Sequence, residues 1–213
     1  MNELPAQVTP TGIEARPRVG GYSSLDLIIA ASAILISCVS LFIAIQQSRT
    51  MEKTLAASSW PLLQIHTANS DDSGAPVVTF EVQNVGVGPA IVKSFSVQSG
   101  GRQTSEPSRI IPDCCGTIPV TPGKFERGDV LTNFVEKTVI RAGGNVDILR
   151  LARAPKNDAV WQRLDKARFK MKFHACYCSI LGDCWESDLT GIDPMAVKQC
   201  APVEGARQVR QRP

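Results

Sequence analysis

The stretch HACYCSILGDCW, residues 174–185, places three cysteines, a histidine and two large aromatics within twelve positions. Such a set can ligate a metal, cycle between thiol and disulfide, or staple a hairpin. Extended backbone sends alternate side chains to opposite faces, so His174, Cys176 and Cys178 share one face and Phe173, Ala175 and Tyr177 the other. With Cys184 added, the first face offers a zinc set. Structural zinc, however, draws on C-x2-4-C spacing that bends a loop around the ion, and C-x-C on a strand does not follow that pattern. A redox centre lacks its C-x-x-C at a helix start, and nothing nearby supplies the positive environment that lowers a thiol pKa.

The hairpin reading accounts for more. With a turn centred on Leu181, Cys178 faces Cys184, and opposed strand residues lie about 4.5–5.5 Å apart, within disulfide reach. Cys176 cannot bridge to Cys178, because strand neighbours two apart are separated by about 6.6 Å with parallel side chains. It needs a distant partner. Cys114 or Cys115 is expected to serve, with Cys200 taking the other, and the connectivity stays open.

Whether these thiols oxidise depends on which side of a membrane they occupy. Residues Leu27 to Ser48 are 22 positions without a charge, and Leu27 to Ile45, 19 residues, are strongly apolar. At 1.5 Å per residue that helix is about 28 Å long, against about 30 Å of hydrocarbon. The anchor residues are Leu27, Ile28, Ile29, Ile34, Leu35, Ile36, Val39, Leu41, Phe42, Ile43 and Ile45. A signal peptide is the competing reading, but its apolar region runs to about 7–15 residues and ends in a small-residue cleavage site. Here the run is longer and flows into the helical-looking QQSRTMEKTLAASS. Ser23 and Asp26 have capping-box spacing, which starts the helix near Ser24. Arg16 and Arg18 before the span balance Arg49 and Lys53 after it, so the positive-inside count is a tie. Cysteine usage breaks the tie. Cys38 lies in the span, leaving six outside it, and an even number in a modest extramembrane domain fits disulfides formed outside the cytosol, as in a bacterial periplasm.

Beyond Pro61 the helical period gives way to alternation. In VVTFEVQN, Val78, Phe80 and Val82 point one way and Thr79, Glu81 and Gln83 the other, predicting a half-buried antiparallel strand. Leu63, Ile65 and Thr67 form its hairpin partner across NSDDSG, residues 69–74. NVGVGPA, residues 84–90, is glycine-rich without a phosphate-loop pattern, and leads into a third strand, IVKSFSVQ. Residues 107–128 read as a long loop carrying Cys114 and Cys115. VLTNFVEKTVIRAGGNVDILRLAR predicts a second hairpin around Gly143-Gly144-Asn145, and Asn157 caps a short helix with Trp161 and Leu164 on one face. Trp60 is assigned to core packing.

The expected architecture is therefore mainly β: an N-terminal transmembrane helix, then a small antiparallel β-sandwich of Ig-like type with one short helix. Residues 1–22 form a flexible tail, 23–59 the span and its juxtamembrane extension, 60–204 the sandwich, and 205–213 a disordered basic tail. Net charge is +3 and scattered, which gives no footprint for nucleic acid. There are two histidines, His66 and His174, no G-x-S-x-G elbow and no H-E-x-x-H, so no enzyme signature stands and no cofactor is expected.

The segment MEKTLAASSWPLLQ, then NVGVGPA, the Cys114-Cys115 pair and CYCSILGDCW, following a single span, resemble in their order an uncharacterised family of bacterial, mainly proteobacterial, single-pass membrane proteins, over roughly residues 25–190. The resemblance implies the inner membrane and no transferable activity. The leading expectation is a non-enzymatic binding or scaffolding module whose partners are the lipid bilayer and another envelope protein, or a second copy, met through the anchor helix. Ala30, Ala31, Ala33, Ser37 and Ser40 allow close helix approach there. The alternative is a cytosol-facing sensor or metal-thiol protein with His174, Cys176, Cys178 and Cys184 on zinc.

Overall fold

The computed structural model describes residues 23–119 and 129–201. The two expected tails, 1–22 and 205–213, lie outside the described residues. The chain divides into two units, Met1–Met51 and Glu52–Pro213.

Helix α1 runs Ser24–Ser58, 35 residues. Its start is the expected reciprocal cap, with Ser23 N–H donating to Asp26 Oδ2 at 3.0 Å and Asp26 N–H to Ser23 Oγ at 3.3 Å. No residue of α1 is buried against protein, and one window of it is long and apolar enough to cross a membrane, a measure that a signal sequence also meets.

The second unit is mainly β, built from two antiparallel sheets. The first has strand order β1-β2-β7-β5, from β1 (Leu63–Ser70), β2 (Pro76–Asn84), β5 (Val130–Thr132) and β7 (Asn145–Ala152). The second has order β10-β9-β8-β3-β4, from β3 (Ala90–Ser99), β4 (Arg102–Thr104), β8 (Lys172–Cys178), β9 (Cys184–Ser187) and β10 (Met195–Val197), with β6 (Val139–Ile140) also paired to β3. Alternation decides what each strand buries. On β2, Val78, Phe80 and Val82 are fully buried. On β8, Phe173, Ala175 and Tyr177 point inward, and Phe173 meets Phe80 of the other sheet with ring centroids 5.7 Å apart. One apolar cluster thus draws on both sheets. Helix α3 (Asp158–Ala167) adds Val160, Trp161 and Leu164 to it.

Four expectations need correction. The second hairpin forms only in part: Val130–Thr132 (β5) pairs antiparallel with β7 as expected, but the residues beside the Gly143-Gly144 turn do not, because Ile140 pairs with Ala90 of β3. β6, the two residues Val139–Ile140, joins the second sheet instead. The stretch from 107 is not all loop, because a 3-10 turn, Pro107–Arg109, leads into helix α2, Ile110–Cys114, so the domain has more than one short helix. Burial of Ile110 and Ile111 overrides the proline punctuation, and residues 120–128 of that expected loop lie outside the described residues. Asn157 precedes α3 but makes no side-chain cap; its Oδ1 instead accepts from Ala154 N–H at 2.9 Å. Trp60 stays 36% exposed, outside the core; its contribution is through the backbone, its carbonyl accepting from the Val87 and Gly88 N–H groups.

Candidate functional site

Two features concentrate polar or reactive atoms: a group of sulfurs on β8 and β9, and a buried asparagine at the end of β2.

Strand β8 lies between β3, with which it pairs along its length, and β9, with which it pairs from Ala175 to Cys178. The Ser179-to-Asp183 turn, closed by Ser179 N–H donating to Asp183 O at 2.8 Å, sets the register that puts Cys178 opposite Cys184. Their Cα atoms are 4.0 Å apart and the sulfurs are at disulfide distance, on the pair that strand geometry selects. Cys176 meets Cys200 with a Cα separation of 5.7 Å, and Cys114 meets its neighbour Cys115. The expected partnership of Cys176 with Cys114 or Cys115 is therefore corrected. The outer face of β8 is covered by the chain that follows β10, which carries Cys200, whereas Cys114 ends α2 elsewhere in the domain. Cys38, in α1, is free and exposed.

Strand parity alone leaves the outer face of β8 open to water, yet Cys176 and Cys178 are buried on it. Cys178 Sγ also approaches Cys200 Sγ to 3.8 Å, so the two sulfur pairs abut. His174, on the same face two residues earlier, remains outside this group and faces Glu186 at 3.9 Å. Ser96 opposes His174 across β3 and β8, but its hydroxyl accepts from the Gln103 amide at 2.9 Å. The His174–Glu186 distance is beyond hydrogen-bond range, so this row does not have the geometry of a nucleophile, base and orienting acid.

The second feature was missed from sequence. On β2 the inward parity of Val78, Phe80 and Val82 continues to Asn84, which is fully buried. Its carboxamide answers that burial with four bonds. Oδ1 accepts from Leu62 N–H at 3.2 Å and Gly86 N–H at 3.1 Å, and Nδ2 donates to Gly88 O at 2.8 Å and Ile140 O at 2.9 Å. Its backbone N–H donates to Gly144 O, and its backbone carbonyl accepts from Gly143 N–H, each at 2.9 Å. One side chain thereby joins the segment after α1, the NVGVGPA loop and β6. The glycines of that loop are needed for close approach: a Cβ on Gly88 would fall on the Ser59 carbonyl, and one on Gly86 would meet Trp60 O at 2.6 Å. The signal was present, since a polar residue on the apolar parity of a strand asks for buried partners.

Titration is perturbed at a turn, at a helix start and at a buried strand position. The Ser73 hydroxyl, then the Ala75 N–H, hold the Asp71 carboxyl below its ordinary range, and the Arg153 guanidinium does the same for Asp158. Burial raises the Tyr177 phenol.

The eleven anchor residues all lie on α1 and are exposed. Compared with protein-family models, curated proteins and solved structures, the chain gives no match.

Proposed function

We propose that this protein is a membrane-anchored, non-enzymatic binding or scaffolding module of the bacterial envelope, with its β domain an Ig-like sandwich on the periplasmic side of the inner membrane. The order of its motifs, which resembles that of a proteobacterial family of single-pass membrane proteins, supports this reading. One observation carries the reading: the six cysteines outside α1 all lie in pairs at disulfide distance, while the apolar helix buries none of its residues in protein. Paired sulfurs suit an oxidising compartment, and an uncovered apolar helix suits lipid. The partners are the bilayer and another envelope protein, or a second copy, met along the small-residue positions of α1.

A phosphatase reporter that is active only outside the cytosol, fused after Pro213, tests the orientation. Thiol counting on carbonate-washed membranes tests the rest. The expected outcome is an active fusion in the membrane pellet, one reactive thiol before reduction and seven after it. Recovery of the folded domain in the soluble fraction, or seven reactive thiols without reductant, refutes the proposal.

A further inference from the structure

We propose that the reduced chain holds one zinc-class divalent ion on the thiolates of Cys176, Cys178, Cys184 and Cys200. The sulfurs of Cys178, Cys184 and Cys200 already lie within 4.8 Å of one another. Cys176 stands outside that set but is bonded to Cys200, which brings its sulfur to the edge of the cluster. In a tetrahedral sulfur site with zinc–sulfur bonds of about 2.3 Å, ligand sulfurs are about 3.8 Å apart. The unbonded Cys178–Cys200 distance is 3.8 Å, one tetrahedral edge. Once the two bonds are opened, side-chain rotation of the four cysteines, that of Cys176 above all, has to bring the remaining edges to the same length.

The backbone that presents these sulfurs is rigid where a metal site needs rigidity. Cys176 and Cys178 sit on a strand paired on both sides, and Cys184 starts the next strand. Cys176 is 1% exposed, Cys178 5% and Cys184 9%, so water competes poorly. Cys200, 24 residues from Cys176, replaces His174 in the ligand set that strand parity suggests. The spacing is C-x-C-x5-C-x15-C, which hides the site from a search for close C-x2-C pairs.

The chemistry balances in two steps. Two disulfides take four electrons and four protons from a dithiol or phosphine reductant and become four thiols. The ion then displaces four protons and binds four thiolates. The same sulfurs thus brace the oxidised domain and coordinate in the reduced one, and this holds whichever side of the bilayer the domain occupies.

The test uses the full chain with Cys38→Ser in detergent micelles, reduced with a phosphine under anaerobic conditions and titrated with cobalt(II), then zinc(II). The expected result is one equivalent of cobalt with the visible bands of a tetrahedral thiolate site, bleached by one equivalent of zinc, and no bands from the oxidised chain. Adding Cys114→Ser and Cys115→Ser leaves the endpoint unchanged, as does His174→Ala, whereas Cys200→Ser abolishes it. Where reduction removes the β-sheet circular dichroism, zinc restores it. Loss of the endpoint in His174→Ala but not in Cys200→Ser, binding without a tetrahedral spectrum, or a reduced chain that stays unfolded in saturating zinc overturns the proposal.

Discussion

Replacing Asn84 with alanine removes a carboxamide that makes four bonds in a fully buried position. Each bond contributes about 1 kcal/mol net, and each orphaned buried group costs about 1–3 kcal/mol. The four partners are backbone groups held by other elements and cannot all find water, so the terms overlap without cancelling. A loss of about 3–5 kcal/mol follows. Urea unfolding of the full chain in micelles measures it, because Trp60, Trp161 and Trp185 all belong to the β unit and report its packing. With a slope of about 2 kcal/mol per molar, the midpoint drops by about 2 M. Lys93→Ala, at an exposed position of β3, is the control and shifts it little. Asn84→Asp sharpens the test, since a carboxylate still accepts from Leu62 and Gly86 but opposes the carbonyls of Gly88 and Ile140. Its folded pKa is raised, so the variant is most stable below the ordinary carboxylate range and weakens as pH rises through the raised value. An Asn84→Ala midpoint indistinguishable from the Lys93→Ala control refutes the view that this side chain ties the three segments together.

The remaining predictions use the same unfolding assay. Gly88→Ala forces a Cβ onto the Ser59 backbone and lowers stability by about 2–4 kcal/mol, whereas Gly101→Ala, with open space around it, is limited to the cost of its positive φ of about 1–2 kcal/mol; equal losses refute the close-approach argument. Replacing Cys176 and Cys200 together by serine lowers the oxidised domain's stability by about 3.5 kcal/mol and replacing Cys178 and Cys184 by about 2.5 kcal/mol, while removing Cys114 and Cys115, which close no loop, costs least; a different order refutes a loop-closure origin. Asp71→Asn is less stable than the parent near neutrality, and the gap closes as pH falls through the depressed Asp71 pKa, because the parent's advantage exists only while that carboxylate is charged. A gap that persists under strong acid contradicts the assigned role of the charge.

The features legible from sequence are those whose physics is local. Nineteen uncharged, mostly apolar residues fix the central part of α1, and the alternation from Val78 to Val82 fixes β2 and its inward face. Cys178 and Cys184 are legible as partners because the residues between them make one tight turn, so register follows from counting. Elements that depend on distant chain are not legible in this way. Val139 and Ile140 carry no period, and their place beside β3 is decided by the Asn84 amide and by Ala90. Met195–Val197 is three residues long and acquires strand geometry only from β9. Ile110 and Ile111 are helical because they are buried, in a stretch whose prolines and glycines argue for loop. The partner of Cys176 lies 24 residues away, and no rule of spacing distinguishes Cys200 from Cys114 until the path after β10 is known.

That path has a consequence for how the polypeptide is made. Cys178 and Cys184 emerge from a ribosome or export channel before Cys200, and their hairpin bridge can close at once, whereas Cys200 arrives last of the six. Until it does, Cys176 waits as an unmatched thiol beside a finished bridge. A product interrupted between Cys184 and Cys200 keeps that thiol without its partner.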